Sequence, residues 1–105
     1  MNRFGRIIKI KPEKYEYYKE LHGSPWTEVT KAIEQCNIRN FSIYFRDGYL
    51  FSYYEYTGDN YESDMDRLSS LTSKWLNETD QCQQPIETAK QGEWWVDMIE
   101  LFHQE

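Results

Sequence analysis

A chain of 105 residues is one domain of ordinary size, able to take roughly two-thirds of its unfolded surface out of water; its 18 Asp and Glu against 12 Lys and Arg give a formal charge of −6. That sign is wrong for a phosphate backbone, which is bound by cations that release counterions, so nucleic acid is not an expected partner. Aromatic residues make up 17% of the chain and nine of them are tyrosines, ring faces that must end in a core, an interface or a ligand pocket.

The N-terminal stretch interrupts its apolar residues with Arg3, Arg6 and Lys9 too often for a signal peptide, and no apolar run reaches membrane-spanning length. The expectation is a cytoplasmic protein with no membrane partner, folded as a single domain over 1–105. Residues 4–11 alternate, with Phe4, Ile8 and Ile10 on one side, and predict a first strand that stops at Pro12. Proline suits a first helical position, and Tyr15, Tyr18 and Leu21/His22 follow at helical spacing, predicting a helix over 12–21 that Gly23 ends. Ser24 and Pro25 read as an N-cap and proline start, after which Trp26, Val29, Ile33 and Cys36 form the apolar stripe of a second helix, with Asn37 as its stop.

From Ile38 to Phe45 the period switches to two, with Phe41, Ile43 and Phe45 facing one way and Asn40, Ser42 and Tyr44 the other. Arg46-Asp47-Gly48 is a hairpin signal, and 49–56 is the returning strand, with Leu50, Tyr54 and Tyr56 on one face and Phe51 and Tyr53 on the other. After the turn at 57–60, Tyr61, Met65, Leu68 and Leu71 or Thr72 mark a helix, with Trp75-Leu76 on its continuation or a short successor. Residues 81–92 read as a polar loop around Pro85, and 94–102 alternate as a final strand. Strand, helices, hairpin, helices, strand is the ferredoxin-like β-α-β-β-α-β order, an α+β fold with an antiparallel sheet and extra helical segments. Helices on one face leave the other aromatic face in need of cover, which a second copy supplies most simply, so a homodimer is expected.

Two cysteines fit a reducing compartment: Cys36 continues an apolar stripe as a buried thiol, and Cys82 sits in a polar stretch. Two histidines and two cysteines at 22, 36, 82 and 103 do not make the short-spaced ligand set of a structural zinc site, so no metal is expected. Phosphate-binding glycine motifs are absent, and Asp64 with Asp66 read as a solvated helix face. Tyr18 and His22 stand four apart on one helical face just before a break, where they can share a ligand. Histidine gives and takes protons near neutrality without special tuning, which makes His22 the leading candidate for chemistry. Trp26, four positions further, could wall the same cavity or serve the core. Trp94-Trp95 reads as strand core on one side and interface on the other, with a pocket role open.

Read in order, Tyr18-x-x-x-His22, Trp26-x-Glu28, Asn40-Phe41-Ser42-Ile43-Tyr44, Lys74-Trp75 and Glu100-Leu101-Phe102 resemble the L-rhamnose mutarotase family over nearly the whole chain. Each motif is short, and the ordered set carries the resemblance. It implies a dimeric ferredoxin-like α+β barrel that interconverts the anomers of L-rhamnose, or in some members L-fucose, with no cofactor or metal and a monosaccharide as its small-molecule partner. By position the resemblance implies His22 as proton donor, Tyr18 as a substrate-binding tyrosine, and Trp75 as the first of two tryptophans at the sugar site. Phe41 stands where the family often has a substrate-contacting tyrosine, so a hydroxyl contact is lost or comes from Tyr44 or Tyr54. Leu76 replaces the second tryptophan. The competing readings are another enzyme of this architecture, monooxygenase-like or haem-handling with His22 or His103 on iron, an RNA-binding sheet, and a non-catalytic interaction module.

Overall fold

Four antiparallel positions make one curled sheet, and its order explains why the chain folds as the split pattern requires. The computed structural model describes residues 1–105. The strand β1 (Asn2–Ile10) lies between β3 (Tyr49–Tyr56) and the two short strands β4 (Gln83–Gln84) and β5 (Val96–Asp97), while β2 (Ile38–Arg46) pairs the far side of β3. All pairings are antiparallel, and the order β2-β3-β1-β4 is ferredoxin-like. Helices α1 (Tyr15–Gly23), α2 (Thr27–Gln35), α3 (Tyr61–Leu71) and α4 (Ser73–Asp80) complete the fold, and none is long and apolar enough to cross a membrane.

The hairpin turn forms because Asp47 and Gly48 both take positive φ, 50° and 86°, the combination whose twist matches two right-twisted strands. Asn37 ends α2 at φ 67°, and Asn60 caps α3 by accepting from the Ser63 backbone N–H at 3.1 Å. One face of the sheet carries Phe4, Ile8, Ile10, Leu50, Tyr54 and Tyr56. Two clusters form there: Ile8, Ile10, Leu50 and Cys82 with Tyr18 of α1, and Ile38, Tyr54 and Tyr56 with Ile33 of α2 and Tyr61, Met65 and Leu68 of α3. The opposite face, with Tyr44 at 67% exposure and Phe51 and Tyr53 only half-buried, has no helix over it.

One register shift shapes this sheet. Arg39 pairs Glu55 but Ser42 pairs Tyr53, so Asn40 and Phe41 together stand opposite Tyr54 in a β-bulge. Asn40 takes the left-handed conformation at φ 52°, which asparagine tolerates better than most residues. Strict alternation would put Ile38 and Phe41 on opposite faces; the extra residue brings both inward and bends β2.

Several boundaries differ from those read in the sequence. Pro12–Lys14 is a single 3₁₀ turn before α1. Helix α2 starts at Thr27, because Trp26 is extended at φ −66°, ψ 135° with its ring committed edge-on to Trp75 of α4 at 5.2 Å. Cys82, in a polar stretch of sequence, is fully buried. Asp64 is not merely solvated: it accepts hydrogen bonds from Tyr56 Oη at 2.5 Å and Asn37 Nδ2 at 3.0 Å, which hold its carboxyl below its ordinary range. The expected polar loop contains β4, and the expected strand over 94–102 is reduced to β5. Past Asp97 the main chain makes one further bond, Met98 N–H to Gly5 C=O at 2.7 Å, beside the Arg3–Glu100 ion pair at 2.8 Å. Ile99, Leu101 and Phe102 are 87%, 93% and 79% exposed, so their alternation has no surface within the chain to pack on.

Candidate active site

Between the concave sheet face and the four helices lies a cavity of about 760 Å³, within the range of about 300–1,000 Å³ typical of ligand pockets. Helix α1 delivers Tyr18 and His22 to one wall, α4 delivers Trp75, Leu76 and Thr79, and the sheet supplies Arg6, Phe41, Ile43, Ser52, Tyr54 and Gln83. Because Tyr18 and His22 are one helical turn apart, their rings stack at 4.1 Å between centroids, and Trp75 meets the imidazole edge-on at 5.1 Å.

The protonation of His22 follows from one contact. Its Nδ1 lies 2.8 Å from the Tyr18 carbonyl oxygen, which can only accept, so Nδ1 carries the proton and Nε2 holds a lone pair when the ring is neutral. Burial lowers the imidazole pKa below its ordinary value, outweighing the stabilising effect of that hydrogen bond. At pH 7 the side chain is therefore a neutral base with no protein partner on Nε2.

Tyr18 is buried, and loss of solvation pushes its hydroxyl up to about 12, partly opposed by the hydrogen bond it accepts from Gln83 Nε2 at 3.2 Å. It is a neutral hydrogen-bonding group, not a proton acceptor in its own right. On the sheet side, the Arg6 guanidinium is held through Nε by Asp97 Oδ1 of β5 at 2.8 Å, directly across the β1–β5 register. Next to it Tyr54 and Tyr61 share a hydrogen bond at 2.5 Å between hydroxyls, and burial raises the Tyr54 pKa strongly.

Of the residues singled out in the sequence, His22, Tyr18, Trp75, Leu76 and Phe41 line this one cavity. Trp26 does not; it backs Trp75 from a neighbouring groove of about 130 Å³. Tyr44 does not reach the cavity either, since alternation after the bulge turns Phe41 and Ile43 inward and Tyr44 out. Tyr54 stands beside Phe41, rings 5.5 Å apart, and is the tyrosine that offers a hydroxyl there. Trp95 lines the cavity, whereas His103 is exposed on the C-terminal segment. Arg6 and Gln83 escaped the sequence reading: an arginine on an apolar strand face and a glutamine in a polar run carry no periodic signal. No three His, Cys, Asp or Glu side chains converge as a metal site would require.

Solved structures of like shape include the L-rhamnose mutarotase FA22100 of Formosa agariphila, at TM-score 0.72 and 19% identity, and the tetracenomycin F2 cyclase of Streptomyces glaucescens, a type-II polyketide cyclase, at 0.67 and 12%. Both alignments cover 100% of each chain, and at these identities they speak for the fold. Among curated relatives, the L-rhamnose mutarotase of Oceanobacillus iheyensis is 26% identical over 98% of this chain and 98% of its own. That of Bacillus subtilis is 27% identical over 96% of this chain and 80% of its own. Fold, cavity and relatives together define a carbohydrate isomerase of ferredoxin-like architecture. The family model for L-rhamnose mutarotase matches residues 3–104, nearly the whole chain, and the protein belongs to that family.

Proposed function

We propose that the protein interconverts the α and β anomers of L-rhamnose, or of a related 6-deoxy sugar such as L-fucose, working in the cytoplasm as a homodimer. Mutarotation moves one proton and breaks one bond: the anomeric O1–H loses its proton, C1–O1 becomes a carbonyl, the C1–O5 bond breaks, and O5 gains a proton. The aldehyde then turns about C1–C2 and the same steps run backwards on its other face. His22 Nε2 takes the O1 proton and, as the imidazolium so formed, delivers a proton to the ring oxygen; Tyr18 holds a hydroxyl and Trp75 stacks on the apolar face of the sugar. Arg6 and Tyr54 offer hydrogen bonds to further hydroxyls where Phe41 has none to give.

The single observation that carries this reading is an unpartnered imidazole nitrogen in an aromatic-walled cavity that Tyr18 shares. Positioned acid–base catalysis is worth about 10²- to 10⁴-fold, and the uncatalysed reaction already proceeds in water, so nothing more is demanded of the site. Saturation-transfer NMR across a panel of 6-deoxy and ordinary aldoses tests it: accelerated anomer exchange of L-rhamnose or a 6-deoxy relative is expected, and exchange at the uncatalysed rate for every sugar overturns the assignment.

The uncovered sheet face supports the homodimer. A face bearing Tyr44, Phe51 and Tyr53 with no helix over it is the kind of apolar surface that a second copy covers across a two-fold axis. Light scattering is expected to give twice the chain mass, and Tyr44→Glu, which puts a charge into this aromatic face, to shift the population to monomer; a wild-type monomer at micromolar concentration contradicts it.

A further inference from the structure

Gln83 is 3% exposed and both ends of its amide are used inside the fold. Its Oε1 accepts from Trp94 Nε1 at 3.0 Å and its Nε2 donates to Tyr18 Oη at 3.2 Å. An indole N–H can only donate, so the amide has one permitted orientation: oxygen to Trp94, nitrogen to Tyr18. The Tyr18 oxygen must then accept, and its own proton, which has no acceptor within the protein, is left to the cavity. Strand β4 fixes the backbone of this relay, with Gln83 opposite Ile10 in the ladder and Lys11 N–H on the Cys82 carbonyl at 2.8 Å.

We propose that Gln83, oriented by Trp94, is a positioning residue that fixes the polarity of Tyr18, making its hydroxyl an obligate hydrogen-bond donor to the sugar. A free tyrosine hydroxyl can donate or accept and must be oriented when substrate arrives; here that choice is made in the empty enzyme. The site therefore selects a lone pair of the substrate at this point, whether a hydroxyl oxygen or the ring oxygen, and disfavours a sugar that presents only a donor there.

The inference rests on the mutarotase reading, and the test separates the two. Gln83→Glu keeps the size and, at a pH high enough to ionise the buried carboxyl, which desolvation holds above its ordinary range, replaces the amide by a carboxylate that accepts from both Trp94 and Tyr18, turning the tyrosine proton away from the cavity. Its kcat/KM for anomer exchange is expected to fall about three- to tenfold, the worth of one neutral hydrogen bond, and Tyr18→Phe to fall by the same factor. In the Tyr18→Phe background Gln83→Glu should then cost nothing further. Relative to wild type at each pH, Gln83→Glu should recover as the medium is acidified, because a protonated carboxyl again donates to Tyr18 and accepts from Trp94. An equal cost of Gln83→Glu with and without the Tyr18 hydroxyl, or no recovery in acid, overturns the proposal. Absence of exchange in the wild-type protein would instead strike the mutarotase reading itself. Should Gln83→Glu fail to fold by its near-ultraviolet circular dichroism, the same cycle with Gln83→Leu, which also deprives Tyr18 of its donor, decides the question.

Discussion

His22→Ala is expected to slow anomer exchange by about 10²- to 10⁴-fold while leaving the fold intact, since this is what one positioned acid–base group supplies. The imidazole is bonded to its own helix, through Nδ1 and the Tyr18 carbonyl, and truncating it removes no hydrogen bond between separate elements, only its edge contact with Trp75 of α4. Circular dichroism of the variant should match wild type, and saturation-transfer NMR with L-rhamnose should read the loss; exchange at the wild-type rate would remove His22 from the mechanism. The pH profile carries an independent expectation. Burial lowers the imidazole pKa, so the folded state binds a proton less readily than the unfolded chain, whose histidine titrates near 6.5. The basic form persists above that value and is lost only as pH falls through the lowered pKa. The acid limb of kcat/KM should therefore lie below 6.5 and be flat from there to pH 8; a limb at or above 6.5 contradicts the desolvated environment.

Ile8→Ala is expected to destabilise the protein by about 2–5 kcal/mol, the usual cost of emptying a core position that cannot collapse. Ile8 is fully buried in the C-terminal half of β1, opposite Leu50 in the β1–β3 register, and packs among Ile10, Leu50, Tyr18 and Cys82. Against a total stability of about 5–15 kcal/mol this is a severe loss, visible as a lower urea midpoint. A midpoint unchanged from wild type would contradict the packing of Ile8 against Ile10, Leu50, Tyr18 and Cys82.

Much of this architecture is legible in the sequence because its signals are local. The Asp-Gly turn dictates a two-residue hairpin, the period-two runs at 38–45 and 49–56 sort their side chains between faces, and Tyr18 and His22 share a face by helical geometry alone. What escapes is set by contacts distant in sequence. The bulge at Asn40 exists only relative to its partner Tyr54. Trp26 leaves its helix for Trp75, 49 positions later. The alternation of 94–102 looks like a strand, but alternation specifies a strand only where a neighbour offers free main-chain groups, and the edge of β1 is divided between β4 and β5. Gln83 is the sharpest case: its role comes from Tyr18 on one side and Trp94 on the other, and nothing at position 83 itself announces it.

The bulge in β2 has a consequence for how this domain tolerates change. Deleting Asn40 would leave every neighbouring side chain on its present face, since Ile38, Phe41 and Ile43 would then alternate without interruption, yet the strand would straighten and the concavity beneath the helices would become shallower. The depth available to a guest molecule thus depends on the length of one strand as well as on the side chains that line the cavity, and a relative one residue shorter here would keep every lining side chain over a shallower hollow.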